Sequence, residues 1–333
     1  MKKLLNSPDD YADEALEGMC LAHPEFYQRS GDTGRIIHRT GGPIKGRVGI
    51  VSGGGSGHLP VFAGYVGPGL LDACSVGNVF AGPSVADCMD AMKIADGGAG
   101  VLCLYGNYGG DRMNFDMAGE MLAMEGLAST TVLVADDVAS APSAERDKRR
   151  GVAGMIYPFK IAGAAAAAGG DLATVAAIAQ KAANACRSIG VALRPCTVPE
   201  VGKPTFEIAE DELEMGMGIH GEPGIWRGKL RPADELAAEM LQRVSDELDL
   251  VKGDRVSVLV NSLGATPHEE LFILYRYIAN ALAAKNVSII MPLVGRYATS
   301  MEMTGASLSL IKLDAELEQH LKAPARCAFW SVA

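Results

Sequence analysis

The chain lacks the features that would tie it to a nucleic acid or a membrane. Its 333 residues include 30 Lys and Arg against 40 Asp and Glu, a formal net charge of −10. Nucleic acids are bound through clustered cations, and the basic cluster at Arg146–Arg150 is short enough to be a solvated loop. The alanine-rich run from Ile161 is too short to cross a bilayer. We therefore expect neither nucleic acid nor membrane as a partner.

The cysteines and the N-terminal residues predict neither a disulfide framework nor a signal peptide. Its seven cysteines are scattered, odd in number and without a C-x-x-C pair, so neither a disulfide framework nor a zinc site is expected. The N-terminus has two lysines, but its apolar run is only two leucines before acids begin. We expect a cytoplasmic protein with no metal site of its own.

What the chain does have is a repeated pattern of apolar runs that end in polar or glycine-rich loops. The runs in "GRVGIVSGGGSGH", "GAGVLCLYGNYGGD" and "STTVLVADDVAS" alternate with helical segments. This alternation predicts an α/β layered fold, and a second half with fewer elements follows the same plan. We place the domain boundary at Cys186, which gives domains 1–185 and 186–333. Ligands in such folds bind at the carboxyl ends of the strands.

Three such loops carry candidate functional side chains. His58 ends the glycine run "SGGGSGH", Asp111 ends "NYGGD", and His220 lies within "GIHGEPG". The glycine run is neither a Walker A loop nor G-x-G-x-x-G. Each loop has a plainer interpretation: His58 as a capping residue on a tight turn, Asp111 as the N-cap of a helix that starts around Met113, and "GIHGEPG" as a turn.

Two imidazoles and a carboxylate would make a carbonyl-directed site. A neutral imidazole nitrogen is a nucleophile and forms a reversible hemiaminal with a ketone. The second histidine can hydrogen-bond the resulting oxygen, and the carboxylate can take a proton from a hydroxyl.

These motifs identify a family. "VSGGGSGH", "NYGGDRMNFDMA", "CTVP", "GMGIHGEPG", "LVNSLGATP" and "TSMEMTGASLSLIKLD" resemble the substrate-binding K subunit of dihydroxyacetone kinase nearly end to end. The resemblance implies two α/β domains of that type, each with a mixed sheet flanked by helices, and a homodimer. It implies that the nucleotide, ATP or ADP with Mg, lies on a separate L subunit, so that this chain carries no cofactor. The phosphoryl donor is then either ATP or a phosphotransferase-system protein.

The resemblance also assigns roles to residues. It implies that His220 binds the ketone carbon covalently, that His58 assists at the substrate oxygen, and that Asp111 accepts a proton from the hydroxyl to be phosphorylated. The loop Gly55-Ser56-Gly57 is expected to contact the substrate through its backbone. Because a hemiaminal forms only with a carbonyl, such a site would reject glycerol, which resembles dihydroxyacetone in size.

Two positions depart from the family pattern. Leu59 stands where members usually carry Glu, and Gly106 stands where many carry a lysine that reaches a substrate hydroxyl. The missing lysine would remove a donor and leave space, so we expect dihydroxyacetone or a larger ketose such as erythrulose; a water in its place would leave the substrate unchanged. The alternative function is a non-catalytic ketose sensor acting on a transcription regulator. Asp111 favours the kinase, because a sensor needs no base.

Overall fold

Two six-stranded mixed sheets form the framework of the computed structural model, which describes residues 2–333. The first sheet has the order β1-β2-β4-β3-β5-β6. Strands β3 to β6 pair in parallel, whereas β1 and β2 add an antiparallel edge. Its strands are β1 (Tyr27–Ser30), β2 (Ile36–Arg39), β3 (Gly49–Ser56), β4 (Ala73–Val79), β5 (Val101–Gly106) and β6 (Ser129–Val134).

The second sheet begins at Cys186 and has the order β11-β10-β12-β7-β8-β9. Only β10 and β11 pair in parallel. Its strands are β7 (Cys186–Arg194), β8 (Glu212–Met215), β9 (Trp226–Lys229), β10 (Arg255–Ser262), β11 (Ser288–Gly295) and β12 (Thr304–Leu313), and a small hairpin of β13 (Ala325–Arg326) and β14 (Ser331–Val332) follows.

Eight α-helices of the described residues flank these sheets. Within residues 2–333, none is both long enough and apolar enough to cross a membrane. The helices are α1 (Tyr11–Ala22), α2 (Val85–Ala95), α3 (Gly109–Met124), α4 (Ile156–Ala167), α5 (Leu172–Asn184), α6 (Ala233–Glu247), α7 (His268–Ala284) and α8 (Ala315–Lys322). The predicted class, two mixed sheets flanked by helices, is confirmed.

The end of the chain returns to the first half. Leu317 and Leu321 of α8, together with Trp330, are buried in the same apolar cluster as Phe26 and Tyr65. The sheets therefore divide at Cys186, while the core beneath the first sheet is completed by the last residues of the chain. The division into domains 1–185 and 186–333 stays a prediction.

The glycine run is strand rather than loop, which corrects the sequence-based expectation. Gly53–Gly55 lie within β3 and pair with β4. A Cβ on Gly54 would lie 2.3 Å from the Phe62 ring, and one on Gly55 would lie 2.7 Å from the Ala81 backbone nitrogen. These glycines thus permit close packing, and the turn itself starts at Gly57, whose φ is +95°.

Candidate active site

The fold brings the three candidate residues together: Asp111 and His220 line one small cavity, and His58 lies against His220. The first half supplies His58 and Asp111, and the second half supplies His220. Asp111 and His220 line a cavity of about 190 Å³ with Gly55, and the rings of His58 and His220 are 4.8 Å apart between centroids. The remaining lining residues are Gly54, Phe62, Phe80, Ala81, Gly82, Tyr108 and Gly110.

His58 is held as a buried, neutral imidazole. Its Nδ1 lies 2.6 Å from the carbonyl oxygen of Thr299, so Nδ1 must carry the proton and donate it. Burial, and then the neighbouring His220, lower the pKa of His58 to about 3. Nε2 is buried and has no hydrogen-bond partner within residues 2–333. His58 can therefore accept a hydrogen bond from a ligand hydroxyl at Nε2.

His220 has a carboxylate partner instead of a carbonyl. Its Nδ1 lies 2.9 Å from Glu222 Oε1, and its backbone N–H donates to Glu222 Oε2 at 2.9 Å. With Nδ1–H as the donor, Nε2 keeps its lone pair. A carboxylate on the far nitrogen fixes the tautomer and the orientation of the ring. The side chain is 24% exposed, so a ligand can reach it.

Glu222 is a candidate site residue that the sequence reasoning missed. Burial raises its pKa, but the hydrogen bond and charge of His220 and the charge of Arg150 outweigh burial and lower the pKa to about 2. Arg150 Nη1 lies 3.8 Å from Glu222, and Arg150 also pairs with the buried Asp137 at 2.8 Å. The signal for Glu222 was the acid two residues after the histidine in "GIHGEPG".

Asp111 lies inside α3 rather than at its cap. The helix begins at Gly109, not around Met113, and the N-cap residue Tyr108 makes no side-chain cap, so the N-cap interpretation is wrong. Asp111 Oδ1 is buried and has no hydrogen-bond partner in the described part of the chain. Burial raises the pKa of Asp111 to about 6, against the opposing effect of His220. A carboxyl group with this pKa can accept a proton near neutral pH.

Aromatic rings enclose the nucleophile candidate. The rings of Tyr108 and Phe80 lie 4.8 and 5.4 Å from the His220 ring, both edge to face. Phe80 also stacks on His58 at 4.8 Å, and the Tyr108 hydroxyl donates to the carbonyl of Gly151 at 3.0 Å. Phe80 thus lies beside both imidazoles, and Tyr108 lies beside His220.

The other predicted substrate-contact positions are divided between two cavities. Gly55 borders the cavity just described and a second one of about 140 Å³, which Ser56, Gly57 and His58 also line. Ser56 Oγ is buried without a hydrogen-bond partner among residues 2–333. Leu59 lines the second cavity. Gly55 therefore borders both cavities, whereas Ser56, Gly57 and His58 border only the second.

Gly106 lies outside the linings of both cavities. A Cβ built on it would lie 3.0 Å from Met155 Sδ and 3.2 Å from the Tyr108 ring. The expectation that the missing side chain leaves open space is thus corrected: Met155 and Tyr108 fill the place where that side chain would begin. Within residues 2–333, no group of three or more His, Cys, Asp or Glu is arranged to hold a metal ion.

Comparison with known families gives the class of this α/β protein. The model of the Dak1 domain matches residues 17–329. The chain therefore belongs to the Dak1 family.

The chain is similar to several individual proteins of known name or structure. The chain is similar to the PTS-dependent dihydroxyacetone kinase 1, dihydroxyacetone-binding subunit DhaK, of Listeria innocua, with 44% identity over 99% of this chain and 100% of the relative. It is similar to the L-erythrulose 1-kinase of Mycolicibacterium smegmatis, with 42% identity over 97% of this chain but only 57% of the relative. The crystal structure of the C. freundii dihydroxyacetone kinase matches with a TM-score of 0.88 and 31% identity, over 99% of this chain and 60% of that chain.

Proposed function

We propose that the chain is the ketose-binding subunit of a dihydroxyacetone-type kinase and holds its substrate as a hemiaminal on His220. The observation that carries the proposal is the pairing of His220 Nδ1 with the Glu222 carboxylate at 2.9 Å. This pairing leaves Nε2 as a nucleophile at the wall of the cavity. The similarity to the Listeria subunit, over the whole of both chains, supports the same function.

The hemiaminal step uses only groups at the site and water. His220 Nε2 attacks the carbonyl carbon, a C–N bond forms, and the π pair moves to the oxygen, which takes a proton from water. The ring then gives its Nδ1 proton to the hydroxide left behind, so the neutral adduct is the chain plus one whole ketose. The Glu222 carboxylate stabilises the positive charge that develops on the ring, and its low pKa keeps it ionised. The new hydroxyl can donate to His58 Nε2, which has no other partner among the described residues.

The phosphoryl step requires a second protein. Asp111 accepts the proton of the terminal hydroxyl as that oxygen attacks the phosphoryl group, and its raised pKa suits this exchange. In this proposal a separate L subunit brings ATP or ADP with Mg, so this chain alone traps the ketose without phosphorylating it. The working form is a cytoplasmic homodimer.

The regulator alternative is weaker because of Asp111. A sensor that only binds a ketose would need His220, but it would gain nothing from a buried carboxylate without a hydrogen-bond partner. Burying such a group has a free-energy cost, and a base for phosphoryl transfer explains why that cost is tolerated.

The test is intact mass under native conditions with four compounds: dihydroxyacetone, each enantiomer of erythrulose, and glycerol. A hemiaminal adds the full mass of the ketose without loss of water, and glycerol, which has no carbonyl, is the matched control. We expect an adduct with dihydroxyacetone or erythrulose and none with glycerol. The ketose with the larger adduct is the better substrate candidate. Absence of an adduct with every ketose would contradict the proposal.

A further inference from the structure

A larger cavity lies away from the candidate active site. It has a volume of about 450 Å³ and lies beside β6, the edge strand of the first sheet, between α3 and α5. Its lining shares no residue with the 190 Å³ cavity. Its charged lining residues are Arg112, Arg146, Arg187, Asp116 and Asp147. The cavity therefore offers several cationic donors and two anionic acceptors.

Arg187 is the buried cation of this cavity, and it is incompletely paired. Its side chain is 5% exposed, and Nη1 donates to two backbone carbonyls at its own end of β7, those of Asn184 and Cys186. Nε has no hydrogen-bond partner within residues 2–333. The nearest carboxylate, Glu247, is 3.7 Å from Nε and already binds Arg149 through both oxygens, at 2.9 and 3.1 Å. One carboxylate thus serves two buried guanidinium groups.

Arg112 and Arg146 extend the cation cluster to the mouth of the cavity. Both are exposed, and neither forms an ion pair with another residue of the described chain, unlike Lys148 and Arg150 nearby. Guanidinium groups that converge on one space are suited to phosphate, because their planar donors match its oxygens in pairs. The cavity therefore has the donors for a phosphate group.

The two aspartates of this cavity limit which groups a ligand can carry besides a phosphate. Asp116 and Asp147 line the same cavity and form no ion pair within residues 2–333. They would repel a bare phosphate ion, but their oxygens can accept hydrogen bonds from hydroxyl groups. We propose that this cavity binds a small phosphorylated polyol, with the phosphate on the arginines and the hydroxyls on the two aspartates.

Calorimetric titration of the full chain tests the site, with glycerol 3-phosphate as the probe and inorganic phosphate and glycerol for comparison. We expect saturable binding of one glycerol 3-phosphate, weaker binding of phosphate, and none of glycerol. Arg112→Ala and Arg146→Ala change exposed side chains and should each weaken binding by about tenfold, as the loss of a charge-assisted hydrogen bond implies. Arg276→Ala, which removes an exposed arginine paired with Asp234, is the matched control and should leave binding unchanged.

Five results would overturn the proposal. Two are the absence of saturable heat with glycerol 3-phosphate and an unchanged affinity for it in both Arg112→Ala and Arg146→Ala. An equal loss in Arg276→Ala would show a general charge effect, and equal affinity for inorganic phosphate would remove the role of the hydroxyls. His220→Ala should retain the binding, because the two cavities share no lining residue. Loss of binding in that variant would place the ligand in the candidate active site and contradict the proposal.

Discussion

The two halves of the molecule each contribute one histidine to the same site, and they hold it differently. His58, from the first half, is buried and donates from Nδ1 to the backbone carbonyl of Thr299. His220, from the second half, is partly exposed and donates from Nδ1 to a carboxylate. A carbonyl only fixes the tautomer, whereas a carboxylate also stabilises positive charge on the ring. The partner at Nδ1 therefore separates a hydrogen-bond acceptor from a nucleophile.

The two histidines also differ in the charged groups that surround them. Around His220, the described chain places an ionised chain of Glu222, Arg150 and Asp137. Around His58, the contacts are aromatic and backbone groups, and the pKa of the ring falls to about 3. The first half thus supplies a neutral imidazole and the carboxyl group of Asp111, and the second half supplies the proposed nucleophile and its counter-charge.

The largest expected effect is a loss of phosphoryl transfer without loss of the ketose adduct. Asp111→Asn should lower phosphoryl transfer by about 10²- to 10⁴-fold, the usual contribution of a general base, while the ketose adduct persists. Transfer is measured with a nucleotide-loaded L subunit of the family, and the adduct by intact mass. Undiminished transfer would mean that the base lies elsewhere.

Stability provides a check on that variant. Because the folded pKa of Asp111 is raised to about 6, burial opposes its ionised form, and the carboxylate lowers the stability of the folded chain above that pH. Asp111→Asn should therefore not lower the free energy of unfolding at pH 7. A marked loss would indicate damage to the fold rather than to catalysis.

Glu222→Gln tests the counter-charge of His220. The amide carries no charge and has a single acceptor oxygen, so it can accept from Nδ1 or from the backbone N–H of His220 but not from both. We expect the dissociation constant of the ketose adduct to rise by about 10- to 100-fold. Titration of the ketose by native mass spectrometry measures it. Glu207→Gln, an exposed position earlier in the same half, is the matched control. If both variants bind the ketose equally well, the carboxylate is not what activates the ring.

The pH dependence of transfer tests the protonation state of the base. Since Asp111 must be ionised to accept a proton and its pKa is about 6, transfer should rise with pH through that region. Between pH 7 and pH 5 the rate should fall about tenfold, in line with the ionised fraction. The residual transfer rate of Asp111→Asn should not show this change between pH 5 and pH 7. A wild-type rate that does not change from pH 5 to pH 7 would contradict the assignment.

Gly106→Ala should have the smallest effect on ketose binding. The added Cβ would meet Met155 Sδ at 3.0 Å, so we expect a loss of about 1–3 kcal/mol in the free energy of unfolding, as for an overpacked core. Because Gly106 does not line the cavity, the dissociation constant of the ketose adduct should change less in Gly106→Ala than in Glu222→Gln. Chemical denaturation and native mass spectrometry measure the two effects. A selective loss of one ketose would instead place Gly106 at the substrate.

Periodic elements and specific motifs could be predicted from the sequence. The alternation of apolar runs and helical segments predicted the layered α/β class that the two sheets and their flanking helices show. The loops of His58, Asp111 and His220 were expected to form one site; Asp111 and His220 line one cavity, and the His58 ring lies 4.8 Å from the His220 ring. Their roles in the reaction stay predictions.

Features that depend on distant packing could not be predicted. Gly53–Gly55 suggested a loop, because the close approaches of Phe62 and Ala81 that require glycine there are visible only in the fold. The start of α3 was placed too late, because two glycines are poor helix formers and Asp is a favoured cap. The filling of the place beside Gly106 by Met155 likewise depends on a residue from another part of the chain.

The central claim is that His220, not His58, carries the substrate. Intact mass with the ketose that forms an adduct tests it most directly, on the wild type, His220→Ala and His58→Ala, with circular dichroism to confirm folding. The account predicts no adduct in His220→Ala and a weaker but detectable adduct in His58→Ala, since the latter loses only a hydrogen-bond acceptor. An adduct that survives in folded His220→Ala, or that disappears only in His58→Ala, would contradict the account.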